Sequence, residues 1–199
     1  MIPLTETPQA GQYGVIYADP PWHYRAYNAA GEQRGPARHY PVMKLPEICA
    51  LPVRKVAARD CHLFLWTYGP HLRQAFEVMD AWGFKYSSVA FTWVKLRRRA
   101  PDLMFITEAD FHLGPGHTTR KNAEICLLGR RGSPKRRSGG VRELIVSARR
   151  EHSRKPDQAR ARIEQYAEGP FLEMFSRTSA PGWDSWGNEV GKFAEYDVA

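Results

Sequence analysis

The chain has 199 residues and carries 29 Lys+Arg against 21 Asp+Glu, a net charge of +8. At 43% hydrophobic and 25% charged it is too apolar for wholesale disorder, and its length fits one domain over residues 1–199, with 1–12 and 192–199 expected as flexible tails. No apolar run nears the roughly 20 residues that cross a bilayer, and no leader pattern opens the chain, so a cytoplasmic protein with no membrane partner is expected. Cys49, Cys61 and Cys126 stand far apart. They read as buried thiols in a reducing compartment, and no metal site is expected.

Taken in chain order, Gly14 to Asp19 is a short apolar run stopped by Pro20-Pro21, a buried strand presenting Asp19 at its carboxyl end. His62 to Trp66 reads as a second buried strand. Pro70 opens a helix with Leu72, Ala75, Phe76, Met79 and Trp82 at helical spacing, closed by Gly83. Tyr86 to Val94, Ala123 to Leu128 and Leu144 to Val146 read as further strands. Lys155-Pro156-Asp157 starts a helix striped by Ala159, Ile163 and Tyr166, and Phe171 to Phe175 is a last strand. Strands alternating with helices predict an α/β fold with a mostly parallel sheet. Two long stretches, Trp22 to Tyr40 and Arg97 to Lys121, are expected at the strand ends where such sheets bind ligands.

The positive charge is concentrated. Between Lys95 and Arg162 stand 18 Lys/Arg against 7 Asp/Glu, while the remainder is slightly acidic. Arg97-Arg98-Arg99, Arg120-Lys121, Arg130-Arg131 and Lys135-Arg136-Arg137 fall between strands, as clustered cations on the loops of one expected face. Such loops suit a polyphosphate partner, because each neutralised phosphate releases counterions; solvated loops that aid solubility have the same composition. Contacts of Arg97, Arg98, Arg99, Lys135, Arg136 and Arg137 with phosphate are expected. Lys95 can touch phosphate or be a plain strand-end cation.

Asp19-Pro20-Pro21-Trp22, placed directly after a buried strand, carries the chemistry. An adenine 6-amino nitrogen is a poor nucleophile because its lone pair is delocalised into the ring. Two acceptors for its hydrogens favour a more pyramidal nitrogen. Asp19 supplies one, the Pro20 carbonyl, held in a stiff extended path, supplies another, and Trp22 offers a π-face to an extruded base. Positioning then accounts for most of the rate.

These residues belong to an ordered set: V-I-Y-A-D-P-P-W (15–22), H-L-F-L-W (62–66), A-W-G-F…W-V-K (81–95), A-E-I-C-L-L-G (123–129), S-R-K-P-D (153–157) and L-E-M-F-S-R…W-D-S-W-G-N-E (172–189). In them the chain resembles the Asp-Pro-Pro-Trp adenine-N6 methyltransferases, a family that includes the catalytic subunit acting on eukaryotic messenger RNA. The resemblance implies a Rossmann-like fold with helices on both sheet faces, a permuted motif order and S-adenosylmethionine as cofactor. It makes Asp19, Pro20, Pro21 and Trp22 the catalytic tetrapeptide. It assigns Asp19, Lys155, Glu173, Arg177, Asn188 and Glu189 to the cofactor, and Tyr40 and Glu124 to the neighbourhood of the target base. Trp183 and Trp186 read as packing residues.

The activity expected is methyl transfer to the 6-amino group of adenine in nucleic acid, with DNA favoured as for small bacterial or prophage members. RNA is the alternative acceptor. A catalytically silent nucleic-acid-binding subunit is the alternative from another class, and the intact tetrapeptide argues against it. Cytosine or protein glutamine acceptors go with Ser or Asn first and Tyr or Phe last in that tetrapeptide. A monomer or homodimer is expected, or a chain paired with a partner subunit.

Overall fold

The computed structural model describes residues 10–23, 42–98, 105–114, 118–150 and 154–187. Its strands are β1 (Tyr13–Ala18), β2 (Ala57–Thr67), β3 (Lys85–Leu96), β4 (Ala123–Arg131), β5 (Leu144–Ala148), β6 (Phe171–Met174) and β7 (Trp183–Trp186). The helices are α1 (Leu45–Cys49), α2 (Val53–Val56), α3 (Leu72–Trp82) and α4 (Asp157–Tyr166). All seven strands form one sheet in the order β5-β3-β4-β2-β1-β6-β7. Every neighbouring pair is parallel except those made by β4, which runs against both β2 and β3. The mostly parallel sheet expected from sequence is present, with one strand reversed inside it.

Period-two alternation decides the two faces of the sheet. Ile16 and Ala18 of β1 and Leu63 and Leu65 of β2 point to one side, where α3 lays down Ala75, Val78, Met79 and Trp82. Val15, Tyr17, Phe64 and Trp66 point to the other, where α4 contributes Ala159 and Ile163. Central strands covered on both faces must be apolar throughout, which is why β1 and β2 read as continuous hydrophobic runs. Met79 is wholly buried, so its truncation to Ala should cost roughly 2–5 kcal/mol.

A buried indole usually finds a partner for its N–H, and three such bonds tie elements together here. Trp82 Nε1 donates to the Ile48 carbonyl (2.9 Å), joining α3 to α1. Trp66 Nε1 donates to the Tyr17 hydroxyl (2.8 Å), joining β2 to β1. Trp183 Nε1 donates to Glu164 (2.6 Å), joining β7 to α4. Trp183 and Trp186 are packing residues by burial, 7% and 4% exposed, although Trp186 Nε1 meets no hydrogen-bond acceptor among the described residues.

Element ends differ from the sequence reading in instructive ways. The helix expected from Pro70 opens with a 3-10 turn over Gly69–His71 before α3 begins. Gly83 closes it with φ 81°, the left-handed C-cap that glycine adopts without steric cost. The last predicted strand stops at Met174, because Phe175 takes φ 63° and turns the chain out of the sheet. That turn lies so close to Gly187 that a Cβ there would come within 2.8 Å of the Ser176 carbonyl. Of the expected tails, residues 10–12 are described, and 1–9 and 192–199 lie outside the described residues.

Candidate active site

Strand direction brings the chemistry together. Because β4 is reversed, its first residues meet the last residues of β1, β2 and β3: Glu124 pairs Trp93 across to β3, and Ile125 pairs Thr67 of β2. On the other side of β1, Tyr17 pairs Glu173 of β6. The chain order also switches sides between β1 and β6, where open α/β sheets form a crevice at the carboxyl ends of their strands.

Leaving β1, the chain follows a fixed path. Neither Pro20 nor Pro21 has an N–H to continue the ladder. The Trp22 N–H turns back onto the Pro20 carbonyl (2.8 Å), Met43 N–H donates to the Pro21 carbonyl (2.9 Å), and His23 N–H donates to the Met43 carbonyl (3.1 Å). A carbonyl oxygen has two lone pairs, so Pro20 keeps one for a further donor.

Asp19 opens onto a cleft of about 490 Å³, its mouth included, lined also by Tyr17, Lys155, Glu173, Phe175 and Arg177. Lys155, just ahead of α4 and only 9% exposed, places Nζ 2.5 Å from Asp19 Oδ2 and 3.3 Å from Glu124 Oε2. Glu124 is bonded in turn by Lys95. A chain of alternating charge, Asp19–Lys155–Glu124–Lys95, therefore runs across the strand ends. Burial lifts the Asp19 carboxyl above its ordinary range; Lys155 offsets part of this and the Glu124 charge adds to it. Burial also acts upward on Glu124, but its two lysines prevail and hold it down at about 2. Glu173 is raised by burial, opposed by Arg160, which bonds it directly.

Two expectations are corrected here. Trp22 does not present a free π-face to a base: it is 6% exposed, donates its indole N–H to the Trp66 carbonyl (3.1 Å) and lies against His71. It holds the tetrapeptide down from beneath. Nor do the basic clusters share one face. Arg97 and Arg98 follow β3 at the cleft end, whereas Arg130 and Arg131, expected between strands, are the last two residues of β4, and with the Lys135-Arg136-Arg137 loop beyond them they lie at the opposite end of the sheet because β4 is reversed. Lys95 is engaged with Glu124, with its ammonium over the Trp93 ring as well. Tyr40, Arg99, Asn188 and Glu189 lie outside the described residues.

Three residues at the cleft escaped the sequence reading. Tyr17 takes the Trp66 N–H and is pushed far above the usual tyrosine range by burial, so it stays a neutral hydroxyl. Phe175 lines the cleft from its left-handed turn. Arg160 pairs Glu173 and lies over the Trp183 ring. One signal was available for Arg160: it stands three residues before Ile163, inside the buried stripe of α4, where a charge needs a partner.

The donor set suits S-adenosylmethionine. Lys155 and Arg177 can pair a carboxylate, Glu173 at the end of β6 can accept from ribose hydroxyls, and Tyr17 and Phe175 give apolar cover between them.

Comparison with known proteins agrees. The MT-A70 family model matches residues 13–189. The Type II methyltransferase M.MunI of a Mycoplasma species is 32% identical over 197 residues, covering 90% of this chain and 78% of that protein. Human N(6)-adenine-specific methyltransferase METTL4 is 29% identical over 93% of this chain and 39% of its own length. For the human N(6)-adenosine-methyltransferase catalytic subunit METTL3 the values are 27%, 90% and 28%. This chain thus spans most of the mycoplasmal relative and well under half of either human one. A match over residues 13–189, on a fold whose strand ends gather Asp19, Lys155 and Glu173 around one cleft, makes the chain a member of the MT-A70 family of S-adenosylmethionine-dependent adenine-N6 methyltransferases.

Proposed function

We propose that the Asp19 cleft methylates the exocyclic amine of adenine within a nucleic-acid strand, with Asp19 and the Pro20 carbonyl as the two acceptors for its hydrogens. The observation that carries this reading is the position of Asp19, fixed by the proline path at the carboxyl end of β1 and facing a cleft with cations and Glu173 on its walls. Bound there, S-adenosylmethionine supplies an electrophilic methyl group. Lys155 and Arg177 orient the carboxylate end, and Glu173, held by Arg160, orients the ribose. Asp19 accepts one amine hydrogen and the free lone pair of Pro20 the other, aiming the nitrogen's own lone pair along the line of transfer. Glu124, kept ionised by Lys95 and Lys155, adds a fixed negative charge beside the base. No strong base is required, since the proton leaves after the new bond forms. Positioning supplies the acceleration.

The expectation of DNA as acceptor is set against RNA by the relatives: those named adenosine methyltransferases support RNA at least as well. Transfer of labelled methyl to matched DNA and RNA oligonucleotides, single- and double-stranded, tests the reading and ranks the polymers. Transfer that survives Asp19→Ala would remove the proposed site. A silent subunit would bind the oligonucleotides and label none of them.

A further inference from the structure

His71 is a buried titratable group that the transfer described above does not use. It ends the 3-10 turn Gly69–His71 and stands at the N-cap of α3, 6% exposed. Ser, Thr, Asp and Asn favour an N-cap because their side chains take up a free N–H of the first turn. The His71 ring makes no such bond to its own helix. It reaches instead to the chain leaving Asp19-Pro20-Pro21-Trp22, with Nε2 3.0 Å from the His23 carbonyl.

That contact fixes the state of the ring. A carbonyl only accepts, so Nε2 carries the proton. Burial holds the His71 pKa below its ordinary value; the bond to the His23 carbonyl opposes this and the His23 side chain adds to it. The imidazole is therefore neutral at pH 7, with its lone pair on Nδ1, which is buried without a hydrogen bond among the described residues. An unsatisfied buried acceptor is costly, so an apolar ring would serve packing better. The bond at Nε2 is what histidine adds here.

The bond acts on the turn that aims Pro20. His23 is held at both ends: its N–H donates to the Met43 carbonyl (3.1 Å), and its carbonyl takes the His71 proton. One residue earlier, the Trp22 N–H lies on the Pro20 carbonyl, and the Trp22 ring centre is 5.7 Å from that of His71. Tyr68 in turn lies 4.6 Å from the imidazole centre. Neither His71 nor residues 20–23 line the cleft where Lys155, Glu173 and Arg177 stand. A change at His71 therefore reaches the tetrapeptide and not those cofactor groups.

We propose that His71 is a positioning residue for methyl transfer: through its Nε2–H it pins the His23 carbonyl and so keeps the Pro20 carbonyl aimed at the adenine amine. This role rests on the reading of Asp19 and Pro20 as the two acceptors. His71→Phe keeps a ring in place and removes the donor, whereas His71→Gln keeps a donor at similar reach and loses the ring. On an adenine oligonucleotide, kcat should fall about 10-fold or more in His71→Phe, with KM for S-adenosylmethionine unchanged, and His71→Gln should recover most of the loss. Amide exchange gives a readout that needs no turnover. The His23 amide should exchange about 3- to 10-fold faster in His71→Phe, while Ile16 and Leu65 in the sheet keep their native rates. An undiminished kcat, equal losses in the two variants, or exchange that quickens alike in the turn and the sheet overturns the proposal. A native chain that transfers no methyl overturns the reading of Asp19 and Pro20 instead, and exchange at His23 then decides whether His71 pins the turn.

Discussion

The two ends of the sheet handle charge in opposite ways. At the carboxyl end, Asp19, Lys155, Glu124 and Lys95 alternate in sign, each within bonding reach of the next and none more than 26% exposed. At the far end, Arg130, Lys135, Arg136 and Arg137 stand in solvent, and among the described residues none of these four forms a salt bridge. Compensated, half-buried charges act at contact distance and hold a geometry in advance of the reaction. Uncompensated surface charges act over about a Debye length, roughly 8 Å at physiological salt, and attract without orienting. One end sets its charges against one another, and the other spreads them in solvent.

The contrast breaks most readily at Asp19. Asp19→Asn keeps the volume but replaces an acceptor by a donor, and turnover on an adenine oligonucleotide should fall on the order of 10²–10³-fold; a loss smaller than tenfold would deny this end its special role. Next, Lys155→Met leaves Asp19 with burial and Glu124 both pushing its carboxyl upward. The acid limb of the rate profile should move to higher pH, because the acceptor must be ionised, and KM for S-adenosylmethionine should rise about 10-fold. At the far end, Lys135→Ala/Arg137→Ala should leave kcat unchanged. It should flatten the salt dependence of binding by about 0.7–0.9 log units per log unit of salt for each phosphate no longer neutralised. An unchanged slope would assign those cations to solubility.

The smallest effect is on stability. Glu124 is held at about 2, below its ordinary 4.5, so folding favours the ionised form. That contribution is present above pH 4.5 and is lost as pH falls toward about 2. The melting-temperature gap between the native chain and Glu124→Gln should narrow over that window. A gap that stays constant would mean that Glu124 is not ionised more readily in the folded chain.

What sequence could show follows from where the information is local. Continuous apolar runs identified β1 and β2, the stripe ending in Gly83 identified α3, and the proline pair placed Asp19 at a strand end. The reversal of β4 is not local: Ala123 to Leu128 reads the same in either direction, and only pairing with β2 and β3 settles it. Missing that reversal put all the basic loops on one face. The burial of Trp22 was hidden for the same reason, since its partners, Trp66 and His71, are 44 and 49 residues away in sequence. β7 escaped because Trp-Asp-Ser-Trp is too short and too polar to show a period. Arg160 was visible only as a charge out of place in a helical stripe.

The ammonium of Lys155 lies on the Asp19 carboxylate and reaches Glu124 as well, so an amine that is to bond Asp19 must compete with it for that acceptor. An intramolecular rival is present at high effective concentration. Isolated adenine has little to set against it, while a base carried on a polymer brings the attraction of its whole backbone. Selectivity for strands over loose bases would then arise inside the site itself, and Lys155→Met should let free adenosine compete more strongly than it does against the native chain.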